Sequence, residues 1–280
     1  MSAKSTKKAH PPAPVSVLVI GSSHVGAPRT AKDSFQALYP EIELSFFAAP
    51  GTSFTRGRLD KNNVFIPKVF SDRDTDTVVQ INGTDRVSLD AFDHVLIIGH
   101  RPHLLDLCGL GGDDNTTYGL LDQGEDGAQF LSRELVEEWL DHLLDPWVGK
   151  MASIFGKRDG LCFTDAPHRS ISMLEIKDQK KEARMFDRFQ AIPFLADLMQ
   201  IYDQKITEKL AAHGYGFFSQ PDHTIATPFA TVATYCHGGK DGAGNASPPD
   251  HRHMNPAFGL ELLTTYATTQ LGLPDRAGHD

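Results

Sequence analysis

The chain has 280 residues, 40% hydrophobic and 22% charged, enough to bury one large core in a single α/β domain. With 27 Lys and Arg against 36 Asp and Glu, its formal charge is −9, which argues against nucleic acid as a partner. No apolar run is long enough for a bilayer, and the opening MSAKSTKKAHPPAPV lacks a stretch of signal-peptide length, so the expectation is a cytoplasmic protein with no membrane partner.

In chain order, residues 1–14 read as a disordered tail and 15–280 as one domain. Val15–Gly21 (VSVLVIG) is a β-branched run ending at glycine, as expected of a strand buried on both faces. Thr30–Leu38 predicts a short first helix. Ile42–Phe47 (IELSFF) predicts the second strand, and Asn63–Leu89, with its short alternating runs, an inserted hairpin excursion. His94–Gly99 (HVLIIG) is the third strand. Gly109–Gly127, rich in Gly, Asp and Asn, reads as a second insertion, a loop rimming the site.

Ala128–Leu144 predicts a helix with Leu131, Leu135, Trp139 and Leu143 on one stripe. Gly160–Thr164 (GLCFT) is a fourth strand. Phe186–His213 has Phe189, Ile192, Leu195, Met199 and Tyr202 on one helical stripe, which Pro193 should bend or divide. Tyr215–Ser219 is a weaker fifth strand, and Asn255–Leu271 opens a last helix, with Asn255 as N-cap and Pro256 in the first turn. Strands alternating with helices in this way imply a mainly parallel five-stranded sheet covered on both faces, with ligands at the carboxyl ends of its strands. Cys108, Cys162 and Cys236 are odd in number and widely spaced, which suggests free thiols.

Three short blocks fall at that edge. Gly21-Ser22-Ser23-His24 follows the first strand, where a serine on a tight turn is exposed beside free backbone N–H groups. Ala49-Pro50-Gly51 follows the second, and a glycine there allows close approach of the backbone to a substrate. Asp250-His251-Arg252-His253 precedes the last helix; a carboxylate three residues from an imidazole can orient it as a base. Each block alone is an ordinary polar turn. No GxGxxG or P-loop ending accompanies them, so no nucleotide cofactor is expected. Asp250, His251 and His253 could instead ligate zinc or iron, but no HExxH helix or second ligand pair supports a metal. Asp165-Ala166-Pro167-His168-Arg169 would project onto the same edge, where His168 or Arg169 could meet substrate.

Together the blocks resemble the SGNH (GDSL-type) hydrolase family, which carries a nucleophilic serine after strand one, an oxyanion glycine after strand two, an asparagine block after strand three and Asp-x-x-His near the end. The resemblance implies a flavodoxin-like three-layer α/β/α sandwich, with Ser23 as nucleophile, His253 as base, Asp250 as orienting acid and Gly51 as oxyanion glycine. It further implies a serine esterase or O-acyltransferase acting on a small-molecule or carbohydrate ester, without a cofactor. The third block departs from the family: it is Gly99-His100-Arg101-Pro102, so His100 or Arg101 would take the place of the oxyanion asparagine. That departure keeps open a non-catalytic relative that binds a glycan or anion.

Overall fold

The computed structural model describes residues 13–99, 104–111, 118–120, 129–175, 181–238 and 250–278. The five apolar runs pair into one sheet: β1 (Val15–Gly21), β2 (Ile42–Ala48), β3 (His94–Ile98), β4 (Leu161–Thr164) and the short β5 (Gly216–Phe217). All neighbours are parallel, in the order β5-β4-β3-β1-β2. The order reverses at β1, so the carboxyl ends of β1 and β3 lie side by side with Gly21 opposite Ile98. A parallel sheet opens its ligand crevice at such a switch point.

The helices among the described residues are α1 (Gly26–Thr30), α2 (Lys32–Leu38), α3 (Gly51–Thr55), α4 (Asp72–Asn82), α5 (Arg133–Phe155), α6 (Lys181–Gln190), α7 (Leu195–Ala211) and α8 (Pro256–Thr269). Period-two alternation of the strands feeds two cores. Val17, Val19, Leu96 and Ile98 pack with α1, α2 and α8 through Phe35, Phe258 and Tyr266. Leu18, Ile20, Val95, Ile97 and Phe163 pack with α5, α6 and α7 through Leu140, Phe186 and Tyr202. The result is the three-layer α/β/α sandwich.

Several elements differ from the sequence reading. The first helix begins earlier and breaks at Ala31 into α1 and α2. The stretch read as an all-hairpin excursion contains α4, because Ser71 Oγ accepts from Asp74 N at 3.2 Å, two aspartates occupy the first turn and Gly83 closes the helix at φ 72°. Its flanks do form an antiparallel sheet, from Arg58–Leu59, Val64–Ile66 and Val87–Ser88. Residues 129–131 are a strand paired with Tyr118–Leu120, and α5 starts only after its N-cap Ser132.

Helix α5 then runs through Pro146 to Phe155, and its buried face is Val136, Leu140, Leu144 and Val148 rather than the Trp139 stripe. Trp139 is 38% exposed and, with Leu131 and Leu143, walls a separate apolar groove. In the Gly109–Gly127 insertion, Gly109–Gly111 end a 3₁₀ helix that begins at Leu104 and Tyr118–Leu120 form the paired strand; its remaining residues lie outside the described ones, as do residues 1–12. The Pro193 division holds, since α6 ends at Gln190 and α7 begins at Leu195. Among the described residues no helix is long and apolar enough to cross a membrane.

Candidate active site

Close backbone packing fixes the turn after β1. A Cβ on Gly21 would lie 2.0 Å from the Ile98 carbonyl oxygen, and one on Gly99, at φ 89°, would lie 2.5 Å from Ser22 Oγ. Only glycine lets the ends of β1 and β3 approach so closely. Ser22 is buried there, while Ser23, the next residue, opens a 3₁₀ turn (Ser23–Val25) and is exposed at the sheet edge.

The opposite wall comes from the far end of the chain. Strand β6 (Asp250–Met254) pairs antiparallel, with a register shift, with Cys236–His237, so the Asp-x-x-His block is an irregular strand rather than a simple loop. Asp250 Oδ1 accepts from the backbone N–H groups of Arg252 at 3.0 Å and His253 at 3.3 Å, an Asx-type turn that aims the carboxylate at its own strand's imidazole. Asn255 then caps α8 by accepting from Phe258 N at 3.1 Å. Helix α8 meets α1 so tightly that a Cβ on Gly259 would fall 2.3 Å from the Ala27 carbonyl. That crossing seats the turn bearing Ser23 against β6.

The result is a continuous hydrogen-bonded chain. Ser23 Oγ lies 2.7 Å from His253 Nε2, and His253 Nδ1 lies 2.6 Å from Asp250 Oδ2. Burial pushes the Asp250 carboxyl up, but the hydrogen bonds from His253 and the Arg252 N–H outweigh it and hold the group below the ordinary carboxylate range. The neighbouring His24 ring stands 5.2 Å from that of His253.

Ser23, His24 and His253 divide two clefts. The wider, about 700 Å³, is lined by Gly51 and Thr52 on one side and by Leu104, Leu105, Met185 and Phe229 on others. The smaller, about 410 Å³, runs past Ala27, His237 and Pro256. Gly51 opens α3, where a backbone N–H has no acceptor within the helix. The loop that carries it is anchored by Asn82, whose Oδ1 accepts from Ala48 N at 2.8 Å and whose Nδ2 donates to Ala48 O at 2.7 Å, so that a side chain pairs with the end of edge strand β2. His100 and Arg101 lie outside the described residues.

The segment after β4 braces the site. Asp165 accepts from Tyr202 Oη at 2.6 Å, and the buried His168 ring packs on Phe229 at 4.8 Å and lines neither cleft beside Ser23. Ser170 N donates to His251 O at 3.0 Å, and Ser172 Oγ meets His251 Nδ1 at 3.1 Å. His251 is thereby tied to this brace while His253 has both ring nitrogens engaged, and among the described residues no three His, Cys, Asp or Glu converge as metal ligands. Arg169 does line the wide cleft, with Glu182 and Arg252. The sequence reading assigned no role to the last two: Arg252 lay inside a block already singled out, whereas no local pattern marks Glu182. No protein-family model, curated protein or solved structure matches this chain.

Proposed function

We propose that this protein is a serine esterase or O-acyltransferase of the SGNH kind, acting on an ester-linked acyl group through Ser23, His253 and Asp250. The observation that carries the reading is the chain of 2.7 and 2.6 Å contacts from Ser23 Oγ through His253 to Asp250, at the switch point of a parallel sheet.

Asp250 accepts from the Nδ1–H of His253, which leaves Nε2 unprotonated toward Ser23. As Ser23 Oγ attacks the ester carbonyl carbon, its proton passes to Nε2 and the carbonyl π electrons move onto oxygen. The backbone N–H groups of Ser23 and Gly51 are the donors to that oxyanion. Collapse expels the alcohol, which takes the proton from Nε2, and the acyl group stays on Ser23 Oγ. Water, or an acceptor hydroxyl such as a sugar's, then loses a proton to Nε2 and attacks the acyl-enzyme, and Ser23 Oγ leaves by taking that proton back from Nε2, releasing an acid or a new ester. The clefts on either side of Ser23 give the acyl and alcohol portions separate room.

The test is hydrolysis of short-chain p-nitrophenyl esters by the parent and by Ser23→Ala and His253→Ala variants, with folding checked by circular dichroism. Each folded variant is expected to lose at least about a thousand-fold in kcat. Activity that survives both substitutions would remove the serine mechanism. An inactive parent would favour the non-catalytic glycan- or anion-binding reading, to which the replacement of the family asparagine by Arg101 points.

A further inference from the structure

The wide cleft holds a charged cluster that the acyl chemistry does not use. Arg169 is only 7% exposed yet lines the cleft. Its Nη2 donates to Oε1 of Glu182 on α6. Arg252, one residue before His253, donates from its own Nη2 to the same oxygen at 3.2 Å. Two guanidiniums from distant segments thus converge on one carboxylate oxygen beside the catalytic imidazole.

The convergence gathers two guanidiniums around a single carboxylate oxygen in the wall of the catalytic cleft. Each guanidinium presents five N–H donors in a planar fork matched to carboxylate geometry. Glu182 takes one from Arg252 among the described residues, and the Arg252 side chain remains 62% exposed. Among the described residues the other carboxylate lining this cleft is Asp106, on the Leu104–Gly111 element that packs against α6.

We propose that Arg169 and Arg252 form a receptor for a carboxylate carried by the substrate, which displaces Glu182 from the pair. The internal occupant is itself a carboxylate, so the position is already shaped for one. The inference rests on the serine-hydrolase reading for its reaction, not for its binding. The substrate class is an ester bearing a carboxylate near the scissile bond, on its acyl or its alcohol portion, with hydrocarbon packed against Leu105, Met185 and Phe229.

Two ester pairs distinguish the source of the carboxylate. On the alcohol side, para-acetoxybenzoate is compared with its methyl ester. On the acyl side, mono-p-nitrophenyl adipate is compared with p-nitrophenyl hexanoate. In at least one pair the charged ester is expected to have a kcat/KM about ten- to a hundred-fold above its neutral partner, as for a hydrogen bond to a charged group. Arg252→Ala should erase that ratio, whatever it does to the neutral ester, and Glu182→Gln should raise it by removing the competitor.

Binding of para-acetoxybenzoate to the Ser23→Ala protein, followed by calorimetry, is measured with the same two substitutions added. If the parent hydrolyses none of the four esters, the serine reading fails and this binding alone decides: affinity lost on Arg252→Ala and gained on Glu182→Gln supports the receptor. Should Arg252→Ala not fold, Glu182→Gln decides. Charge ratios near one in both pairs, or a ratio and an affinity that Glu182→Gln leaves unchanged, overturn the proposal.

Discussion

At the scale of single residues, the hydrogen bond between Asp250 and His253 has to do more than hold a ring. With Asn at position 250 an amide nitrogen can face Nδ1 and favour the tautomer that carries its proton on Nε2, the wrong one for taking a proton from Ser23. Asp250→Asn is therefore expected to keep the fold and lower kcat by about a thousand- to ten-thousand-fold, measured on the ester that the parent hydrolyses best; a loss under ten-fold would show that Asp250 does not set the tautomer. Gly21 allows a purely steric test. Its missing Cβ would lie 2.0 Å from a backbone oxygen that cannot swing aside, so Gly21→Ala should destabilise by about 1–3 kcal/mol or more, as overpacking does, seen as a lower midpoint in denaturant. Ser23, Asp250 and His253 were legible in the sequence because each belongs to a short block with its own turn chemistry. The Arg169–Glu182–Arg252 cluster was not. Its contacts span 13 and 70 residues of chain, and Glu182 looks like any carboxylate near the start of a polar helix.

At the scale of elements, the carboxyl end of β2 depends on a side chain from α4. Asn82 completes the edge pairing at Ala48 and also donates to Val78 O at 2.7 Å. Asn82→Ala would leave the Ala48 N–H without this partner, at a cost of about 1–3 kcal/mol and a fall in Tm of about 2–4 °C per kcal/mol. Because Ala48 stands three residues before Gly51, kcat toward p-nitrophenyl esters should fall as well, at temperatures where the variant remains folded. Unchanged melting would remove the pairing role. Strands β1, β3 and β4 could be read directly, since strands buried on both faces are near-continuous apolar runs, whereas the edge strands β2, broken by Glu43 and Ser45, and β5, only two half-buried residues, carried a weaker signal. Helix α4 could not be read from hydrophobicity, because Val78 is its only buried residue; its signal was the Ser71 cap and Gly83. Helix α5 misled for the opposite reason: it carries two apolar stripes, and the one with the larger side chains faces the groove beside Leu107 and Leu110 instead of the core.

At the scale of the whole molecule, stability against pH is the sum of carboxyls pulled in opposite directions. Asp90 and Asp93, held by hydrogen bonds from Asn63 and from Ser16, lie below their ordinary values. Such groups stabilise the fold above the ordinary carboxylate range and lose that contribution as pH falls through it. Asp203 on α7 is the opposite case: burial pushes it up to about 6 from 3.8, with Asp222 adding repulsion and a hydrogen bond from Ser219 opposing. Between those two values the folded state binds more protons at this position than the unfolded chain. Stability contributed there falls as pH rises from about 4 to about 6, and the penalty is complete above the folded value. At 1.36 kcal/mol per unit, discounted for the share of solvent still reaching the group, Asp203→Asn should gain about 1–2 kcal/mol at pH about 8 and almost nothing at pH about 4. Urea unfolding at both pH values measures the difference. An equal gain at both would mean that the amide packs better, not that a charge has been removed. A loss at the higher pH would mean that the ionised carboxylate is held by more than Ser219.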